Sequence, residues 1–152
     1  MIAVIQRVTH ASVTVEGETV GRIGPGLVAL VAVTKDDTES DAKWLARKIT
    51  ELRIFRNADK HFDLDVRAAG GSILLVSNFT VAGATRLGRR PSFDTAAIAE
   101  KGAADFATLV QFVRDTGVPV QTGRFRADMS VHIVNDGPVT LILDSSEART
   151  AT

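Results

Sequence analysis

Leu27-Val28-Ala29-Leu30-Val31-Ala32-Val33 is apolar at every position. A strand with one face in water alternates polar and apolar residues, so this unbroken run, preceded by Gly24-Pro25-Gly26, reads as a central strand buried on both faces. Such a strand needs cover on each side. Before it, residues 2–8 form a first strand, and residues 12–15 and 19–23 flank a Glu16-Gly17-Glu18 turn as a hairpin. After it, Asp37 or Thr38 caps a helix whose Leu45, Ile49 and Leu52 share one face. A second helix over about residues 95–116 places Ala99, Ala103, Phe106, Val110 and Val113 on one stripe, with Gly117 as its stop. Near the C-terminus, residues 129–134 and 139–143 are rich in β-branched and aliphatic side chains and read as two strands joined at Asp136-Gly137, Pro138 opening the second. Strands, helix, strands, helix, strands argues for an α+β fold. It predicts a curved mixed or largely antiparallel sheet with two amphipathic helices, not a regular βαβ repeat.

At 152 residues and 45% hydrophobic content the chain suits one domain, expected over residues 1–146, with the small polar residues 147–152 fraying. Cysteine is absent, which removes disulfides, thiolate nucleophiles and cysteine metal sites. His10, His61 and His132 are scattered without the spacing of a helical zinc site, and no glycine-rich phosphate loop precedes a helix, so neither metal nor nucleotide cofactor is expected. Eighteen basic residues cancel eighteen acidic ones, and any RNA contact must be local. The candidate is Arg86-Leu87-Gly88-Arg89-Arg90, whose guanidinium groups suit phosphates. No apolar run approaches the length needed to span a bilayer and no leader pattern is present, so a cytoplasmic location is expected.

Two segments carry chemistry. Gly71-Ser72-Ile73-Leu74-Leu75-Val76 reads as a buried strand that runs abruptly into Ser77-Asn78-Phe79-Thr80, and polar groups at the end of a buried strand suggest the mouth of a site. Asn135-Asp136-Gly137-Pro138-Val139-Thr140 sets a proline where a backbone donor is normally required, and an X-Pro step can present carbonyls in a fixed, unusual direction. Together they resemble the paired signature of the D-aminoacyl-tRNA deacylases, a Ser-Gln-Phe-Thr segment and an Asn-x-Gly-Pro-Val-Thr segment. The resemblance extends through Met1-Ile2-Ala3-Val4-Ile5-Gln6-Arg7-Val8, residues 27–33, Arg90-Pro91-Ser92-Phe93 and Thr122-Gly123-Arg124-Phe125. Three departures stand out. Asn78 replaces a glutamine, Arg126 occupies a position where a small residue is common, and Val81-Ala82-Gly83 replaces a Leu-Tyr continuation.

The resemblance implies a barrel-like sheet in a homodimer, acting on aminoacyl-tRNA, with no membrane or DNA partner. It assigns catalysis to Ser77, Asn78, Phe79 and Thr80, with backbone N–H groups of Phe79 and Thr80 polarising the ester carbonyl while water attacks. An aminoacyl ester is already activated, so positioning and oxyanion stabilisation suffice, and Thr80 has no evident base to make it a nucleophile. Asn135, Gly137 and Pro138 would form a selectivity loop that meets the substrate α-ammonium and excludes L side chains, leaving glycyl-tRNA as a further substrate. Phe125 and Met129 would receive the terminal adenosine, and Arg86, Arg89 and Arg90 the phosphates. Three rivals remain open: a noncatalytic RNA or small-ligand binding barrel, a serine esterase using Ser77 with His132 and Asp128, and a deacylase of altered chiral preference.

Overall fold

The computed structural model describes residues 1–150 and orders them as β1 (Ile2–Val15), β2 (Glu18–Ile23), β3 (Gly26–Ala32), α1 (Glu39–Glu51), β4 (Phe55–Asn57), β5 (Lys60–Leu64), β6 (Ser72–Ser77), α2 (Ala99–Asp115), β7 (Val120–Thr122), β8 (Ser130–Asp144) and α3 (Ser146–Thr150). β3 lies inside the main sheet, antiparallel to β1 and parallel to β6, while β6 is parallel to β7. Gly26 lets the two strands meet, because a Cβ there would fall 1.8 Å from the Ser72 carbonyl oxygen. On one face of the sheet, Leu27 and Ala29 of β3 pack with Leu45 and Ile49 of α1 and Phe106 and Leu109 of α2. On the other, Val28 joins Val13, Ile23, Leu74 and Val76 in a second core. Each such Val, Leu, Ile or Phe side chain, fully buried, contributes about 1.5–3 kcal/mol of transfer free energy. The second core sits inside the curl of the sheet, where β2 closes toward β7: a Cβ on Gly21 would lie 2.5 Å from the Thr122 carbonyl oxygen. The result is the expected α+β architecture with a nearly closed, barrel-like mixed sheet.

The hairpin between β1 and β2 turns through Glu16 and Gly17, both at positive φ, and pairs Val15 with Glu18. Of the two cap candidates for α1, Thr38 takes the role: its N–H and Oγ1 both donate to Asp41 Oδ2, at 2.8 and 2.9 Å. Asp37 instead accepts from the Met1 ammonium and the Thr34 N–H. Gly117, at φ +86°, follows α2 as predicted.

Four boundaries differ from expectation. β1 is one strand of 14 residues rather than two, because the exposed Thr9 and His10 mark a register irregularity against β8 and not an end. Its early residues Ala3 and Ile5 face the helix-covered core, and Ala11 and Val13 face the other. β8 is likewise continuous over 15 residues, so no hairpin forms at Asp136-Gly137. α2 starts at Ala99, since residues 95–97 bind back to the strand end instead, with Lys35 N–H donating to the Thr95 carbonyl and Ala97 N–H to that of Val33. Of residues 147–152, expected to fray, 147–150 belong to α3, which starts at Ser146 with its N–H capped by Asp144 at 2.9 Å; residues 151–152 lie outside the described residues. The short β4–β5 hairpin was not predicted, its charged strands carrying no alternating pattern.

Candidate active site

β6 ends at Ser77, and there the backbone turns at once. Asn78 N–H donates to the Val31 carbonyl at 2.7 Å, and Phe79–Ala82 wind into a single 3-10 turn, with Val81 N–H donating to the Asn78 carbonyl and Gly83 N–H to that of Thr80. The leading amides of such a turn have no carbonyl behind them to meet. Accordingly the N–H groups of Phe79 and Thr80 have no acceptor among the described residues. Both residues line a cavity of about 630 Å³, within the usual range for small-molecule sites. Val31, Val33 and Val76 form an apolar side, Ala99 and Gly102 bring the start of α2, and residues 125–129 with Val131 complete the wall.

A glycine makes room for this wall. A Cβ on Gly123 would strike Met129 Sδ at 2.6 Å, whereas one on Gly102 would only touch the Phe125 ring, at 3.4 Å. Phe125 rests against Phe106 of α2 with centroids 6.4 Å apart, while Phe79, still 59% exposed, meets Phe93 edge-on at 5.1 Å. Thr80 Oγ1 donates to Asn78 Oδ1 at 2.5 Å, so the shortened Asn78 amide is engaged with its neighbour.

Six predicted residues therefore come together: Ser77, Asn78, Phe79, Thr80, Phe125 and Met129. Arg86, Arg89 and Arg90 stand apart on an exposed loop whose base is closed by an Ala84–Ser92 bridge, and Phe93, just beyond it, packs on Phe79 of the cavity wall. Ser77 and Asp128 line the cavity but His132 does not. It is exposed opposite Ser12, because its strand neighbour Val131 points to the cavity and successive side chains alternate. The Ser77, His132, Asp128 triad is thus not assembled. The apolar lining from β3, β6, α2 and β8, and Ala127, were not assigned to the pocket from sequence; Asp128 was considered only as a triad member and Arg126 only as a departure.

Asn135, Gly137 and Pro138 lie away from the cavity of their own chain. Gln6 pairs with Thr140 and Val8 with Asn135, so two steps of β1 span five of β8 and the intervening residues bulge outward. The Asn135 side chain bridges the bulge: its Oδ1 accepts from Val139 N–H at 3.0 Å and its Nδ2 donates to Thr140 Oγ1 at 2.8 Å. This substitution for ladder bonds is why the strand continues where a turn was expected. Gly137-Pro138 is a cis peptide. Arg7, buried to 3% exposure, holds the bulge from behind, its Nε donating to the Asp136 carbonyl at 3.1 Å and its Nη1 to the Ile54 carbonyl at 2.7 Å. Its guanidinium also faces the Asp136 carboxylate at 3.3 Å, and Arg56 meets that carboxylate from the other side at the same distance. Sequence reading missed Arg7, whose only signal was an arginine inside an apolar strand.

Neither carboxyl group with a displaced pKa lines the cavity. Asp41 is subject to burial, which raises its pKa, but hydrogen bonds from Ser145 and Thr38 and the Met1 ammonium outweigh this and hold it low. Asp63 is lowered chiefly by the Asn57 hydrogen bond, with Lys60 and Arg53 adding charge. Among the described residues, no group of three histidine, cysteine or acidic side chains gathers as a metal site, and no helix is long and apolar enough to cross a membrane.

The chain matches the family model described as D-Tyr-tRNA(Tyr) deacylase over residues 4–144. A protein of Geobacter sulfurreducens named D-aminoacyl-tRNA deacylase is 53% identical over 152 residues, covering 100% of both chains. One of the same name from Thermotoga petrophila is 52% identical, covering 97% of this chain and 99% of that one. Among solved structures, a c-Myc DNA unwinding element binding protein superposes with a TM-score of 0.90 at 38% identity, over 95% of this chain and 98% of that one. A probable eukaryotic D-amino acid tRNA deacylase shares the fold at 0.78 and 18% identity, over 94% and 98% of the two chains.

Proposed function

The chain belongs to the D-Tyr-tRNA(Tyr) deacylase family, and from that premise we propose that it hydrolyses the ester joining a D-amino acid to the terminal adenosine of tRNA, releasing both in the cytoplasm. The observation that carries this reading is the pair of unpartnered amides at Phe79 and Thr80 on the wall of a largely apolar cavity. Water attacks the ester carbonyl, the developing oxyanion is received by those two N–H groups, and the tRNA 3′-end leaves as the alcohol. Preorganised donors of this kind are worth about 10²–10³ in rate each, which an activated ester needs more than it needs a nucleophile. Adenosine lies against Phe125 and Met129, and Arg86, Arg89 and Arg90 meet phosphates further along the acceptor strand.

Chiral selection belongs to the bulge at Asn135, Gly137 and Pro138, presented across a homodimer to the cavity of the partner subunit. Two observations support this. The bulge is exposed at Gly137 and Pro138 yet braced by buried Arg7, and β8 carries exposed Val134, Leu141 and Ile142, apolar surface suited to a second copy. Fixed carbonyls accept from the substrate ammonium and occupy the direction of an L side chain, so D-aminoacyl and glycyl esters enter and L esters do not.

Initial rates on matched D-, L- and glycyl-tRNA test the proposal. We expect turnover of the D and glycyl substrates and at least about a thousandfold less of the L substrate, beyond what one apolar contact discriminates. Equal rates on D and L esters would remove the reading.

A further inference from the structure

We propose that Arg126 is a substrate-binding residue whose guanidinium grips the 5′-phosphate of the terminal nucleotide; this rests on the functional reading above. Arg126 has φ +62°, the left-handed region that a residue with a Cβ avoids and glycine adopts freely. Such outliers persist where the surroundings or the function hold them, and they gather at ligand sites. The side chain is exposed, lines the cavity next to Phe125, and has no ion-pair partner among the described residues. It is also the one cation among the cavity-lining residues, where the single opposing charge is Asp128. Arg124, by contrast, lines an adjoining groove together with Glu16 and Asp128, where acidic groups surround it.

The substrate's chemistry matches this placement. With adenine against Phe125 and Met129 and the ester at Phe79 and Thr80, the nearest formal negative charge is the phosphate on the same ribose. A planar guanidinium engages phosphate oxygens through two parallel hydrogen bonds. Arg126 thus supplies affinity at the terminal nucleotide, nearer the ester than the arginines of the 84–92 loop.

Calorimetric binding of adenosine 5′-monophosphate and of adenosine separates this inference from the catalytic one, because it needs no turnover. The parent is expected to prefer the monophosphate by about tenfold, the scale of one charged hydrogen bond, Arg126→Gly to bind the two alike, and Arg126→Lys to fall between. Glycine accepts the backbone angle, so Arg126→Gly is expected to keep the parental circular dichroism and melting temperature. On D-aminoacyl-tRNA the glycine variant should show a KM raised by a similar factor with kcat held, and a salt dependence of log kcat/KM shallower by about one. A parent with no preference for the monophosphate, or a glycine variant that retains it, overturns the assignment. Failed turnover with the preference intact would sink the hydrolytic reading and leave Arg126 in place.

Discussion

Thr80 directs its hydroxyl proton at the Asn78 carboxamide oxygen, a group that accepts a hydrogen bond without taking the proton. A hydroxyl so placed gains no nucleophilicity, whereas the Thr80 amide is free. Thr80→Ala is therefore expected to keep single-turnover deacylation within about tenfold of the parent, since the oxyanion donors survive the truncation. A trapped acyl ester on Thr80 of the parent would contradict this. The Ser77 to Thr80 segment was legible in the sequence because an apolar strand stops abruptly at small polar groups, and that signal is local. Arg7 was not, because its partners Ile54 and Asp136 are distant in sequence and no local pattern connects them.

α1 is held at its start by the reciprocal Thr38–Asp41 pair, and Asp41 Oδ1 also accepts from Ser145 Oγ at 2.7 Å. Its lowered pKa means the folded state favours the carboxylate, so the stabilisation is present above the unfolded value of about 3.9 and fades as pH falls through the folded one. Asp41→Asn should cost about 0.5–2 kcal/mol near neutrality, as the loss of a helix cap does. Melting temperatures of parent and variant, followed downward from about pH 7, are expected to hold a steady gap to about pH 4 and to draw together below it; a gap that does not narrow there would show that the charge is not what stabilises the cap. Helix positions and the central strand were readable because periodicity is a property of the element itself. The continuity of β1 and β8 was not, because it depends on Asn135 replacing ladder hydrogen bonds across the bulge and on each strand supporting the other.

For the whole molecule, the shared-site proposal makes a specific demand. Ala99→Trp should block the cavity from the first turn of α2, and Gly137→Ala should distort the bulge, since a Cβ there would meet Val139 N at 2.9 Å and Arg7 Nη2 at 3.1 Å. Each variant alone should be inactive, and an equimolar refolded mixture should regain about a quarter of parental activity, the yield of random pairing in a two-fold dimer. Full parental activity in a sedimenting monomer would end the proposal. The pairing of β1 with β8 has a separate consequence, for synthesis. Ile2 lies opposite Asp144, so β1 leaves the ribosome long before the β8 residues that pair with it. β3 and β2 can cover one side of β1 early, but the other edge stays open over most of translation, and an open edge invites pairing with other chains. Gln6, Thr9, His10, Ser12 and Thr14 interrupt that waiting strand with polar groups, and Arg7 is its charge. The arginine that braces the finished loop is thus also the charge this strand carries while its edge is open.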